Sequence, residues 1–378
     1  MDFRSLASQH GTPLFVYDSN TLRTSAQVML DLQLPYGLTV RYAAKANPHP
    51  QIIQLFNEMG LHFDASSTYE AQLLLNQGIA GRKISLSAQT IDGPLEAVLQ
   101  AGVLPIATSL RQIELLKQAG ATEFAVRVNP GIGSGHNNRT SVGGPASSFG
   151  IWHEYIEQAL QTAGTAKITR LHTHIGSGAD PAIWRQAIQR SLAVAQQLPD
   201  VTTLDIGGGY KVARMGNEVT TDMNQVAQVF NEELMNFAEV TGRQLHLEIE
   251  PGTYLVANAG TLLTNIEDIV DTGTEGYTFL RLNTGMNDIL RPSIYGAQHP
   301  ITILNEATAT RDYVLVGHNC ESGDILTPAA GDPEGILPRT LNVASVGDVV
   351  AIGGAGAYCA SMSAHGYNAF PNAKEVYL

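Results

Sequence analysis

Between about residue 37 and residue 255 the chain alternates short β-rich apolar runs with amphipathic stretches, and this alternation leaves few architectures open. The runs cover residues 38–43, 61–64, 83–87, 104–107, 124–128, 168–174, 202–206 and 245–249, each of a length that suits a buried strand. The segments between them space apolar residues three and four apart, as in Ile52, Leu55 and Phe56, then Tyr69, Leu73 and Leu74, and later Val226, Val229, Phe230, Leu234 and Phe237. That is the period of a helix with one buried face. Strands alternating with helices pair in parallel, and eight such units predict a (β/α)8 barrel of the TIM type.

The two ends of the chain follow a different pattern. Pro13 to Tyr17, and strand-length runs after about Leu262 such as residues 313–316 and 348–351, are broken by Gly, Pro, Asn and Asp. They predict a second, mostly β domain built from residues 1–26 and 259–378 around a barrel of residues 27–258. A chain of 378 residues with 44% hydrophobic content is large enough for both. The formal charge of −13, with basic residues scattered along the chain, lacks the footprint of a polyanion binder and speaks against nucleic acid. Cys320 and Cys359 are too few for a disulfide framework or a four-thiolate metal site, which fits a reducing compartment. No apolar stretch reaches membrane-spanning length and the N-terminus has no signal pattern, so a cytoplasmic location is expected.

Barrel active sites lie where strands end and helices begin. The residues that end or follow the expected strands are Lys45, Asp64, Ser87, Thr108, Asn129, His174, Gly207-Gly208-Gly209 and Glu250. An amine in an apolar mouth deprotonates readily and becomes a nucleophile, which places Lys45 for Schiff-base chemistry. Three successive glycines let backbone N–H groups wrap a phosphate, although a tight turn uses the same residues. His172 and His174 fall on one face of a strand; the pair invites a zinc reading, a core reading, or, for His174, a flat ring lying on a flat cofactor with Ser177 holding a phosphate. Glu250 can keep a pyridine nitrogen protonated, as an electron-sink cofactor requires, or can be a solvated strand end. Residues 131–150 form a Gly/Ser/Asn-rich stretch of a length typical of lids, whose end, Ser147 to Ile151, regains apolar character and should dock. Further on, Arg291 has the fork geometry for a carboxylate, and Cys320 beside Glu321 suits a proton donor better than a metal ligand because like charge opposes thiolate formation.

Taken together, Ala44-Lys45-Ala46-Asn47, His174-Ile175-Gly176-Ser177, Gly207-Gly208-Gly209-Tyr210, Glu250-Pro251-Gly252, Leu290-Arg291-Pro292, Cys320-Glu321-Ser322-Gly323-Asp324 and Tyr367-Asn368 resemble, in this order, the motifs of fold-type III pyridoxal-phosphate decarboxylases. The resemblance is closest to the diaminopimelate decarboxylases and covers nearly the whole chain. It implies the alanine racemase/ornithine decarboxylase-like architecture, pyridoxal 5'-phosphate as cofactor, no metal, and a homodimer with shared active sites. Lys45 then carries the cofactor and His174 stacks on its ring. Ser177, Gly207, Gly208, Gly209 and Tyr367 take the phosphate and Glu250 the pyridine nitrogen, with Asp64 and Gly252 in the same cofactor-binding set. Arg291, Tyr295, Glu321 and Tyr367 bind substrate, and Cys320 or Lys45 returns the proton, Cys320 and Glu321 reaching the partner's site.

Two positions depart from the family pattern: Thr253 and Phe370 stand where arginines are usual. The expected activity is decarboxylation of an amino acid, meso-diaminopimelate to L-lysine first, with a related basic, carrier-tethered or siderophore-precursor amino acid as the alternative. A non-catalytic pyridoxal-phosphate carrier would not need the β domain or Cys320-Glu321. A metal-dependent barrel hydrolase is the remaining reading, drawn from His172 and His174.

Overall fold

The computed structural model describes residues 1–133 and 143–378. It divides into two compact units, Arg23–Lys211 with Val219–Tyr254, and Met1–Leu22 with Val212–Glu218 and Leu255–Leu378. After β1 (Leu14–Tyr17), which belongs to the second unit, the chain lays down β2 (Leu38–Ala43), β3 (His62–Ala65), β4 (Ile84–Leu86), β5 (Leu104–Ala107), β6 (Glu123–Asn129), the two-residue β7 (Ile151–Trp152), β8 (Lys167–His172), β9 (Thr203–Asp205) and β10 (His246–Ile249). Pairing runs in parallel from β2 through β3, β4, β5, β6, β8 and β9 to β10, which returns to β2 and closes an eight-stranded barrel. The expected (β/α)8 barrel is therefore present, each strand within two residues of its expected limits.

Two local departures have physical causes. The run expected over 168–174 stops at His172: the Thr173 N–H makes the last ladder bond, to the Asp205 carbonyl of β9 (2.8 Å), and Gly176 then adopts a φ of 119°. The helix Thr68–Asn76 buries Thr68, Ala71 and Leu74 and leaves Tyr69 and Leu73 exposed, so its period was right but its buried face was rotated.

The barrel interior carries charge where sequence periodicity predicts apolar filling. Arg41 of β2 donates from Nε and Nη2 to the Glu248 carboxylate of β10, 2.9 Å in each case, and Arg170 of β8 pairs with the same carboxylate. Burial alone pushes Glu248 up, but the two guanidiniums outweigh it and hold the carboxyl at about 2. Buried ion pairs contribute little net stability, whereas a lost partner costs several kcal/mol. The triad thus fixes the register of the β2–β10 seam, where the barrel closes.

In the second unit β1 lies between β11 (Gly260–Asp271) and β19 (Lys374–Tyr377). The same sheet contains β12 (Thr278–Leu282), β13 (Ile301–Ile303), β14 (Thr310–Val316), β17 (Arg339–Asn342) and β18 (Val349–Ile352), while β15 (Pro328–Ala329) and β16 (Asp332–Ile336) form a separate ribbon. Leu14, Val16, Leu263 and Ala351 pack as one apolar cluster on this sheet. The second domain is mostly β, as expected.

Of the stretch 131–150 expected as a lid, residues 134–142 lie outside the described residues. Its end docks on the barrel: Asn129 exchanges two hydrogen bonds with the Gly144 backbone, both 2.9 Å, and Ile151 pairs with Val128. Among the described residues no helix is long and apolar enough to cross a membrane.

Candidate active site

Lys45 sits in a single 3-10 turn, Ala44–Ala46, at the end of β2. Ala44 and Ala46 are buried and pin the turn, while Lys45 is exposed. The expected apolar mouth is corrected here: the amine projects into a field of carboxyls. Asp64, ending β3, is buried and accepts from Ser85 Oγ at 3.0 Å. Burial and then the nearby Glu250 push its pKa up to about 7, while Lys45 pulls the other way. Glu70 is raised to about 7 by burial too, although it accepts the Ser66 N–H and feels Lys45. Acids poised near neutrality around one amine are a mark of chemistry rather than of solvation.

His174 lies past the end of β8, and its Nδ1 accepts the Gly208 N–H at 3.1 Å, which fixes the tautomer with any proton on Nε2. Burial first, then Arg127 and Lys45, keep the ring neutral. His172, still on the strand, points its Nε2 at Glu250 Oε2 (3.4 Å), but burial holds its pKa at about 4, so the contact is not an ion pair. The two histidines therefore play separate parts.

Glu250 follows β10, fully enclosed, with its pKa raised by burial and opposed by Lys45 and Arg127. Its Oε1 is buried without a hydrogen-bond partner. Asp205, at the end of β9, accepts the Gly207 N–H at 2.9 Å, and burial together with Glu250 pushes it well above the carboxylate range. Burial raises both carboxyls, and the unpartnered Glu250 Oε1 is an acceptor that a protonated ring nitrogen would satisfy. A pyridinium N–H there removes the cost of an orphaned buried oxygen, so the residues present fit pyridoxal phosphate.

The three glycines are demanded by close approach. A Cβ on Gly207, whose φ is 73°, would stand 2.5 Å from His174 Nδ1; one on Gly208 would overlap the Glu250 carbonyl oxygen, and one on Gly209 the Gly176 carbonyl oxygen. The segment is wedged between the loops that follow β8 and β10, and the Gly178 N–H closes the first of these onto the Gly209 carbonyl at 3.1 Å. Ser177, between Gly176 and Gly178, is brought to the same cradle. Gly252 is buried in the turn after Glu250.

His172, Asp205 and Glu250 also bring three ligand-type atoms within 4.8 Å of one another, the only such group among the described residues. Asp205 Oδ1 accepts the Gly207 N–H, and burial pushes its carboxyl upward. Sequence reasoning missed Asp205 and Arg127. Both are charged residues inside β-rich runs and are buried once the barrel closes; Arg127 lies 4.8 Å from the Phe149 ring centroid.

The other expected site residues belong to the β unit. Tyr367 donates to Glu321 Oε2 (3.4 Å), and the Cys320 N–H donates to Asn368 Oδ1 (2.7 Å), so these two motifs, far apart in sequence, form one exposed cluster. Asn368 and Ala369 hold φ values of 49° and 61°, a region that costs non-glycine residues energy. Asp324 braces the turn, accepting the N–H groups of Met286 (2.7 Å) and Asn319 (3.0 Å). Phe370 stacks on His318, 3.6 Å between centroids and 5° between planes, and so packs where a charge is usual. Arg291 opens the helix Arg291–Tyr295, with its Nη1 2.8 Å from His299 Nε2; the Tyr295 hydroxyl lies 4.0 Å from Met362 Sδ.

A barrel that presents a lysine, a glycine cradle and a buried carboxylate oxygen without a partner on one rim defines an enzyme built around a flat phosphorylated cofactor with a basic ring nitrogen. The chain belongs to the pyridoxal-dependent decarboxylases, lyases that use pyridoxal phosphate to release carbon dioxide from amino acids: residues 23–257 match the model of their pyridoxal binding domain. It is 32% identical to diaminopimelate decarboxylase of Streptomyces coelicolor over 98% of this chain and 85% of that protein. A crystal structure of diaminopimelate decarboxylase superposes with a TM-score of 0.91 at 30% identity, covering 99% of this chain and 90% of the other. The Helicobacter pylori enzyme complexed with L-lysine gives 0.88 at 25% identity, with 100% and 94% covered.

Proposed function

We propose that this chain decarboxylates meso-diaminopimelate to L-lysine and carbon dioxide, as a homodimer whose active sites draw on both protomers. The observation that carries the reading is the orphaned Glu250 oxygen beside Lys45, His174 and Gly207 to Gly209 in a chain aligned end to end with diaminopimelate decarboxylases. When bound, pyridoxal phosphate supplies an electron sink for the bond that breaks as carbon dioxide leaves. Lys45 would carry the cofactor, neutral His174 would lie against its ring face, Ser177 and the glycines would hold its phosphate with Tyr367, and Glu250 would keep its ring nitrogen protonated. Asp64 and Gly252 shape the same rim. Arg291 and Tyr295 would bind the substrate together with Glu321 and Tyr367, Arg291 through the carboxylate at its far end. Cys320, exposed and held by Asn368, or Lys45 once released, would return a proton to the substrate carbon.

Thr253 and Phe370 keep a related basic or carrier-tethered amino acid in view. A panel of amino acids scored for carbon dioxide released by the pyridoxal-phosphate-loaded protein decides between them. Turnover should be highest with meso-diaminopimelate; preference for another amino acid would move the assignment to it, and no release from any would leave a carrier. The shared site is tested by mixing two inactive proteins, Lys45→Ala and Cys320→Ala. About a quarter of wild-type activity should return, since half of the reassorted dimers are hybrids with one intact site of two. No recovery after proven subunit exchange would assign each site to a single protomer.

A further inference from the structure

Beyond β18 the chain offers two successive glycine carbonyls, and each anchors an arginine. The Gly354 carbonyl accepts Arg214 Nε at 2.9 Å. The Gly353 carbonyl lies 2.9 Å from His299 Nδ1, and His299 Nε2 lies 2.8 Å from Arg291 Nη1. A guanidinium can only donate, so Nε2 is the acceptor and the ring's proton sits on Nδ1, where it is given to Gly353. Burial, then Arg291 and Arg214, keep that ring neutral. Arg291 is thus positioned by an uncharged partner. Gly354 has a φ of 62°, and a Cβ there would stand 2.9 Å from Arg214 Cγ and Cδ, so the glycine lets the arginine stem lie against the turn.

Neither cation is neutralised. Arg214 Nη2 is buried without a hydrogen-bond partner, and among the described residues no carboxylate pairs with Arg214 or Arg291. Glu218, the nearby acid, spends its Oε2 on the backbone N–H groups of Arg214 (2.7 Å) and Met215 (3.2 Å). Burial raises the Cys359 thiol, so it stays neutral, and Tyr358 beside it is a phenol. Arg339 adds a third positive charge within reach of His299, with Nε and Nη2 also buried and unpartnered. Burial and Arg291 together pull Arg214 down to about 9. A chain with a formal charge of −13 has acids to spare, yet places none against these guanidiniums. Like charges gathered at half-buried positions, some of their nitrogens without a partner, are tolerated where an anion completes the set.

We propose that Arg214 and Arg291 form a two-guanidinium clamp for the carboxylate at the far end of the substrate. The clamp rests on the assignment of Arg291 to substrate binding, and it makes Arg214, from the segment Val212–Glu218, a specificity-determining residue. Pimelate, a seven-carbon dicarboxylate without amines, probes the clamp by calorimetry on the holoenzyme with no need for turnover. Wild type should bind it, and Arg214→Gln should bind it at least tenfold more weakly while holding cadaverine, a five-carbon diamine with no carboxylate, within about twofold. In turnover the same variant should raise KM for diaminopimelate and leave kcat nearly unchanged. Equal weakening for pimelate and cadaverine, unchanged pimelate binding in the variant, or no pimelate binding by wild type overturns the clamp. If Arg214→Gln does not fold, Arg214→Lys keeps the charge without the planar fork: several-fold weaker pimelate binding supports the clamp and unchanged binding overturns it. Absence of diaminopimelate turnover in a wild type that binds pimelate would instead sink the substrate assignment and leave the clamp standing.

Discussion

Lys45→Ala is expected to abolish measurable decarboxylation and to remove the visible absorbance of the cofactor-loaded protein, while thermal unfolding changes little. The three effects separate because Lys45 is exposed, in a turn whose buried contacts come from Ala44 and Ala46, so its side chain contributes chemistry and hardly any packing. Loss of a proton-transferring group alone lowers turnover by roughly 10²–10⁴, and here the anchor of the cofactor goes with it. Steady-state carbon dioxide release and an absorbance scan check both. A variant that retains absorbance and turns over within tenfold of wild type would place the cofactor on another amine.

Glu250→Gln is expected to cost roughly 10²–10³ in kcat, the scale for removing one preorganised charge-stabilising group, with the cofactor still bound through Lys45. Glutamine keeps the shape and one oxygen acceptor but cannot hold a ring nitrogen in its protonated form. The substitution also acts at a distance. Glu250 helps push Asp64 up to about 7 and Asp205 well above its ordinary value, so removing its charge lets both carboxyls titrate lower. The acid limb of the pH–rate profile should therefore move to lower pH. A fall in kcat without that movement would mean that the carboxyls around Lys45 do not govern the profile.

The sequence made the barrel legible because strand and helix periods alternate cleanly, and because barrel chemistry collects at strand ends: Lys45, Asp64, His174, Gly207 to Gly209 and Glu250 could all be placed before any coordinate. Arg41, Arg170 and Glu248 could not. Their pairing joins residues up to 207 apart in sequence, and a charged residue inside a strand reads as an edge or a solvated face until the barrel is closed. Lys45 was expected in an apolar mouth because the preceding run is apolar; the acids that surround it come from β3, the helix after it and β10. Arg214 carried no signal at all. It lies in a loop of mixed composition, and only the carbonyl of Gly354, 140 positions later, shows what holds it.

Every role proposed for the barrel rim depends on Lys45 carrying pyridoxal phosphate at the end of the first barrel strand. Borohydride reduction of the cofactor-loaded protein followed by peptide mapping tests it most directly, since reduction makes the linkage permanent and marks one residue. A single labelled peptide containing Ala44-Lys45-Ala46-Asn47 is expected. Label on any other lysine, or none in a sample shown to hold the cofactor, would contradict it.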